Sequence, residues 1–318
     1  MISINKNAVK IVKEVIENAD NLGVKVSKTK AGVTIIDMGL DCPGSWEAGI
    51  LLTRITIGDL GIVKLGEFPI KDYTLASADV YVKEPLIACV ASQIAGWQLG
   101  EGEFATIGSG PARAIAAVES DFYMNMTPYR DKHDEVVLSI QDVKLPDETL
   151  GLIVAEKCNV KPEDVYLVVA PSTALVTAIQ VSARTIEQTC HKMYKKGFDV
   201  SKVVCARGTA PIPPIVLDEV KAMGRLNDAL LYGGIAEFWV DASDDEIAEV
   251  VDKLVSQYSS PYYGALFGDV FEKANCNFYE IDHDFHCVAK IQIHNVRTGK
   301  AFTSGEIRYD ILKESFFS

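Results

Sequence analysis

Arg184 and Glu187 stand three residues apart in the stretch Tyr166–Gly197, YLVVAPSTALVTAIQVSARTIEQTCHKMYKKG, whose first 18 residues carry no formal charge. Residues so spaced are neighbours on a helix, so a guanidinium and a carboxylate there can touch. On a solvated face the pair is an ordinary feature worth about 0.2–0.5 kcal/mol. Set where a helix leaves the core and opens on a cleft, it becomes a candidate site. Proton transfer is then open to the carboxylate, and only electrostatic and geometric work to a guanidinium that keeps its proton.

A second candidate is GSGPARA, Gly108–Ala114. It follows a predicted strand, Phe104–Ile107, and precedes a predicted helix through Val118. Strand, glycine turn and helix start make a ready anion site when free backbone N–H groups point outward. Arg113 occupies the third small position of a dinucleotide fingerprint, and no G-K-[ST] follows, so neither that motif nor a P-loop is present. A tight turn chosen for backbone reasons is the plainer alternative. Arg113, one turn into the helix, favours the anion reading.

Other reactive types are less organised. His283 and His286, in DHDFH, would point to opposite faces of a strand, and no third metal ligand accompanies them. Cys190 falls on an apolar stripe, which favours packing. Cys42, before Pro43-Gly44, is a loop thiol, and a nucleophile would need a low thiolate pKa. Trp46, Trp97, Tyr123 and Tyr129 lie near the glycine loops. Each could stack on a planar ligand, with core or rim packing as the default.

The elements that must position these groups follow from pattern. Eighteen uncharged residues could suggest a membrane span, but Pro171, Ser172, Thr173 and Gln180 argue against it. The pattern predicts a buried strand, Tyr166–Ala170, a break at Pro171-Ser172, and one long helix ending before Gly197. At about 100° per residue Leu175, Ile179, Ile186, Cys190 and Met193 form one stripe, with Arg184, Glu187, Gln188 and His191 opposite.

Upstream, Ala8, Ile11, Val12, Val15, Ile16 and Ala19 mark an amphipathic helix. Val24–Lys28 and Val33–Asp37 read as a hairpin. CPGSWEAG starts a helix capped by Ser45. Ile62–Leu65 and Ala78–Val82 are short strands, and Pro85 opens a helix to about Gly96. Asp121–Asp134 is a polar loop or crossover.

Downstream, Val136–Gln141 is a strand and Pro146 opens a helix. Val203–Ala206 is a strand leading into RGTAPIPP, Arg207–Pro214, a rigid loop with three prolines. Helix follows near Leu217–Leu231, then a strand, Gly234–Val240. Ser243 and Glu246 match a capping box. Pro261 opens a helix to about Ala274, Cys287–Asn295 is a strand turned at RTGK, and a last helix begins near Gly305. Interleaved strands and helices give the class α/β. The expected division is an N-terminal lobe, 1–130, carrying GSGPAR, and a C-terminal lobe, 131–318, carrying the Arg184–Glu187 helix.

At 318 residues, 48% hydrophobic and 24% charged, the chain reads as an ordinary soluble globular protein. A net charge of -13 disfavours nucleic-acid partners, which demand lysine and arginine. It leaves room for a small anion held by a local arginine. Seven cysteines, an odd number with no CxxC pair, read as free thiols in a reducing compartment. The N-terminal segment lacks a signal-peptide core, so the expected location is the cytoplasm.

Three segments together, PGSWEAG (43–49), GSGPAR (108–113) and SARTIEQTCHK (182–192), resemble methenyltetrahydromethanopterin cyclohydrolase. The similarity extends from the first helix to the C-terminal hairpin, and GSGPAR and SARTIEQ are its specific pieces. The resemblance implies a one-carbon enzyme of methanogens and their relatives. It would interconvert a cyclic methenyl-pterin cation and water with the N5-formyl pterin and a proton. It also implies two α/β lobes with a substrate pocket between them, a homotrimer, and no metal or prosthetic group.

The family's catalytic arginine and glutamate fall on Arg184 and Glu187. The methenyl carbon is an amidinium and already electrophilic, so the chemistry needs a positioned water and a base. Glu187 is then the base and Arg184 the electrostatic partner. A guanidinium lowers a carboxylate's pKa and burial raises it, so such a base needs a dry pocket. Ser109, Gly110 and Arg113 are the candidate contacts for an anionic or polar part of the substrate.

Two other classes compete. A non-catalytic pterin or one-carbon carrier would keep the pocket, though the presence of both Arg184 and Glu187 favours an enzyme. A nucleotide-dependent oxidoreductase would use the glycine turn, but the third glycine and the acidic ribose partner are missing.

Overall fold

The computed structural model describes residues 2–100, 106–118, 125–277, 280–282 and 284–318. Twelve strands are named: β1 (Lys25–Lys28), β2 (Thr34–Asp37), β3 (Gly61–Ile70), β4 (Tyr73–Val82), β5 (Trp97–Leu99), β6 (Thr106–Ser109), β7 (Val136–Gln141), β8 (Val165–Ala170), β9 (Val203–Pro211), β10 (Ile235–Val240), β11 (Lys290–Asn295) and β12 (Ala301–Gly305). The principal α-helices are α1 (Ile4–Glu17), α2 (Trp46–Thr56), α3 (Glu148–Cys158), α4 (Leu175–Ser182), α5 (Thr185–Lys195), α6 (Glu219–Gly233), α7 (Asp244–Val250), α8 (Phe267–Lys273) and α9 (Tyr309–Phe317). Leu86–Gln93 forms a π-helix. The class is α/β, as the alternation of patterns indicates.

The chain divides into two compact units, one of Met1–Gly61 with Leu86–Gln180, the other of Ile62–Pro85 with Val181–Ser318. In the first unit six strands run in the order β1-β2-β8-β7-β6-β5. The β2-β8 and β8-β7 pairs are parallel and the others antiparallel. Strand β8 is buried along its whole length, as a central parallel strand must be. Its side chains alternate: Tyr166, Val168 and Ala170 join α1 and α2 in one core, while Val165, Leu167 and Val169 join α3 in another.

In the second unit the order is β12-β11-β10-β9-β4-β3. Only β10 and β11 pair in parallel among the registered strands. Ala206, Ala210, Ala236, Phe238, Ile291 and Ile293 are buried on one face. On the other lie Arg207, Glu237, Trp239 and His294. There Trp239 stacks on His294 with centroids 5.0 Å apart, and Glu237 pairs with both Arg207 and His294.

Local signals explain much of this. Ser45 accepts from Ala48 N at 3.1 Å and caps α2. Ser243 and Glu246 form the expected capping box on α7. Several boundaries differ from expectation. The predicted long helix after Pro171 is two helices, α4 and α5, separated by a turn at Ala183–Arg184. The ladder tightens there, with Arg184 N donating to Val181 O at 2.9 Å, and resumes with Gln188 N donating to Arg184 O.

RGTAPIPP is not all loop. Strand β9 runs through Arg207 to Pro211, whose missing N–H falls at the strand end. Strands β3 and β4 are ten residues each, longer than their short apolar cores suggested. The segment behind Pro261 is a turn before α8, and α9 starts at Tyr309 rather than near Gly305. The predicted strand start at Phe104 and the first part of the 121–134 loop lie outside the described residues.

Candidate active site

Helix α5 carries the charged pair. Arg184 is its N-cap residue and Glu187 lies in its first turn. Arg184 Nη1 donates to Glu187 Oε2 at 3.2 Å, and the two side chains are only 13% and 11% exposed. The polar side of this helix is therefore not a solvated face: Glu187 is buried, and Arg184, Gln188 and His191 are half-buried. A carboxylate in the first turn also meets the positive end of the helix dipole, worth about 0.3–1 kcal/mol.

The first turn of α5 sits directly on β9. Thr185 is fully buried and lies above Gly208. A Cβ at Gly208 would come within 1.8 Å of Thr185 Oγ1 and 3.0 Å of Thr185 Cβ. Only glycine permits this approach. Just upstream, Ser182 Oγ donates to Pro211 O at 2.9 Å. The β9 backbone therefore fixes both sides of the Ala183–Arg184 turn.

The other end of α5 is held by charge. Lys192, 1% exposed, donates through Nζ to Asp284 Oδ1 at 2.7 Å and to Asp284 O at 2.9 Å. Lys196 takes Asp284 Oδ2 at 2.7 Å. Burial by itself would raise the Asp284 carboxyl, but the two ammoniums outweigh it and hold it below its ordinary value. Cations in the last turn also complement the dipole.

The cysteine expectations follow from burial. Burial pushes the Cys190 thiol far up, and the Glu187 charge adds to it, so Cys190 packs and does not react. Burial and the Asp37 carboxylate raise Cys42 to about 11. Among the described residues no group of three His, Cys, Asp or Glu side chains could hold a metal. His283 and Tyr123 lie outside the described residues. None of the described helices is long and apolar enough to cross a membrane.

GSGPAR has a different setting from the outward-facing anion turn expected. The amides of Gly110, Ala112, Arg113 and Ala114 donate to Ser92 O, Val137 O, Gly110 O and Pro111 O. Arg113 is 1% exposed. Its Nη1 reaches the carbonyls of Val90, Ala91 and Ser92 at 3.1, 3.3 and 2.9 Å. Ser109 Oγ donates to Gln93 O at 2.6 Å. The motif thus meets the end of the π-helix. A cavity of about 350 Å³ opens elsewhere, on the outer face of the second sheet, lined by Asp79, Tyr81, Arg207, Thr209, Glu237 and Tyr309 among others. Arg184 and Glu187 do not line it.

Sequence reasoning missed the role of Gly208, the burial of Lys192 and the π form of the helix expected after Pro85. A glycine inside a strand signals close backbone approach, but three nearby prolines hid the strand. A lone lysine at a helix end gives no sign that its ammonium will be buried.

Comparison with known proteins adds an independent observation. Residues 3–316 match the family model described as Cyclohydrolase (MCH). The chain is 38% identical to methenyltetrahydromethanopterin cyclohydrolase of Methanocaldococcus jannaschii, covering 99% of this chain and 98% of that protein. It is 39% identical to the Methanothermobacter marburgensis protein of the same name and 40% identical to that of Methanobrevibacter smithii, each with 99% of both chains covered.

Proposed function

The chain belongs to the methenyltetrahydromethanopterin cyclohydrolase family, and we propose that it interconverts N5,N10-methenyl-tetrahydromethanopterin plus water with the N5-formyl pterin plus a proton, in the one-carbon metabolism of methanogenesis. The full-length match supports the reaction. The observation that carries the mechanism is the Arg184–Glu187 pair, at 3.2 Å and nearly buried. Those residues take the roles of electrostatic partner and base.

The methenyl carbon lies between two nitrogens and shares their positive charge, so a water can attack it without a Lewis acid. Glu187 removes one proton as the oxygen–carbon bond forms. The resulting carbinol is neutral at that carbon. The bond from carbon to N10 then breaks, N10 takes a proton from Glu187, and the hydroxyl loses its own. One water has supplied the formyl oxygen, the N10 hydrogen and the released proton, so charge and atoms balance. Arg184 keeps its proton throughout. It orients Glu187 and the water and stabilises the oxygen as negative charge builds on it. The reading needs no metal or prosthetic group, and it carries the expectation of a homotrimer.

Substrate contact by Ser109, Gly110 and Arg113 is one role open to those residues, and the kinetic test in the next section separates it from its rival. The proposed activity itself is tested by the loss of the methenyl chromophore on adding purified protein, with chelator present and no nucleotide. Catalysed loss supports the reading. Pterin binding without turnover identifies a carrier, and a requirement for a nicotinamide identifies an oxidoreductase.

A further inference from the structure

A helix end leaves carbonyls without helical partners, and a π-helix is a rare form that persists where its surroundings hold it. The π-helix here closes with Ile94 N donating to Cys89 O at 3.0 Å. The next four carbonyls, Val90 to Gln93, are all taken by GSGPAR. Arg113 Nη1 takes Val90, Ala91 and Ser92, Gly110 N also takes Ser92, and Ser109 Oγ takes Gln93. A permanent cation at a helix C-terminus is favoured by the dipole as well.

The clamped end leads on to α4. Ser92 Oγ donates to Thr56 O at 2.5 Å. The Thr56 hydroxyl donates to Thr53 O and accepts from two side-chain amides, Gln93 Nε2 at 3.5 Å and Gln180 Nε2 at 3.4 Å. Gln180 lies on α4, four residues before Arg184.

We propose that GSGPAR is a clamp on the π-helix and that Arg113 is a positioning residue, setting α4 and hence Arg184 through Gln93, Thr56 and Gln180. Arg113 then acts on the turnover step without touching substrate. The proposal rests on the reading of Arg184 and Glu187 as the reacting pair. Its structural half, the clamp, stands apart from that reading.

The test uses the full chain and three variants, Arg113→Met, Thr56→Val and their double. Thr56→Val removes one hydroxyl at nearly constant volume, so it remains informative where Arg113→Met fails to fold. Amide exchange at Ile94 reports on the π-turn with no reference to chemistry. The expected result is faster Ile94 exchange in Arg113→Met. In that variant kcat should fall 10-fold or more with KM within about 3-fold, as for a group that acts only at the transition state. Thr56→Val should lower kcat in the same manner, and the double variant should lose no more than the worse single one, the non-additivity of a shared path.

Arg113→Lys should restore part of kcat, because it returns a cation to the carbonyls. A KM raised 10-fold with kcat unchanged, and made worse by salt, would overturn positioning and assign Arg113 to an anionic part of the substrate. Wild-type kcat in Thr56→Val would overturn the path through Thr56. Unchanged Ile94 exchange in a folded Arg113→Met would overturn the clamp. Failure of the Glu187 assignment alone would leave the exchange result intact.

Discussion

Gly208→Ala is the smallest change that should disturb the Arg184–Glu187 pair. The new Cβ would stand 1.8 Å from Thr185 Oγ1, 3.0 Å from Thr185 Cβ and 3.3 Å from Ile186 Cγ1. Carbon–carbon contacts settle near 3.5–4.0 Å. Turning the Thr185 hydroxyl away relieves the first clash but not the second. The first turn of α5 must therefore retreat by roughly 0.5–1 Å, since the Cβ–Cβ gap has to open from 3.0 Å to contact distance. Overpacking of this kind costs about 1–3 kcal/mol of stability. A displacement near 1 Å at reacting groups costs up to about 100-fold in rate.

The expected outcome is a lower Tm and a kcat reduced by about 10- to 100-fold, with KM little altered. Thr185→Gly in the same chain removes both the hydroxyl and the Cβ that crowd the new atom. Thr185 Oγ1 has no hydrogen-bond partner among the described residues, so its removal breaks no bond. The double variant should therefore recover much of both losses, a coupling expected of touching side chains. Thermal melts and hydration kinetics on the two single variants and the double one decide the matter. Wild-type kcat in Gly208→Ala, or a double variant no better than Gly208→Ala alone, would refute the seating of α5 on β9.

Arg184→Met should cost about 100- to 1,000-fold in kcat, the scale of removing one preorganised charge or donor from a transition state. Arg184→Lys should cost less, because it keeps the charge and loses only the planar fork. Equal kcat for the two variants would contradict an electrostatic role. Asp228 offers a test of stability. It is buried, accepts from Phe267 N and Ser315 Oγ, and burial pushes its carboxyl up from 3.8 to about 7. The folded chain then holds more protons than the unfolded one between these values. The stability contribution is full below about pH 4 and is lost as pH rises through about 7, on the order of 4 kcal/mol at 1.36 kcal/mol per pKa unit. Asp228→Asn should flatten that slope in denaturant titrations across pH, and an unchanged slope would place its cause elsewhere.

The fold class was legible because β8 and α1 carry the plain signals of burial and period. Strand β8 reads as an unbroken apolar run, and α1 as an i, i+3, i+4 stripe. Caps at Ser45 and Ser243 were legible because a side-chain oxygen before a helix has a single common use. Arg184 and Glu187 could be paired by spacing, and the structure brings them to 3.2 Å. Their burial could not be read, because spacing along one helix does not say what packs over its polar side. The break at Ala183–Arg184 was hidden for the same reason, since Ser182 bonds to Pro211, 29 residues on. The setting of GSGPAR was not legible: the Gly110 amide and the Arg113 side chain bond the end of the helix after Pro85, whose π form has no sequence signature.

The central claim is that one carboxylate takes the proton from the attacking water. Glu187→Gln keeps the size and shape of the side chain and removes only its capacity to accept that proton. Hydration of the methenyl pterin should fall by about 100- to 10,000-fold, the range for loss of a general base, while pterin affinity and Tm stay close to wild type. Turnover near the wild-type rate in a correctly folded Glu187→Gln would contradict the account.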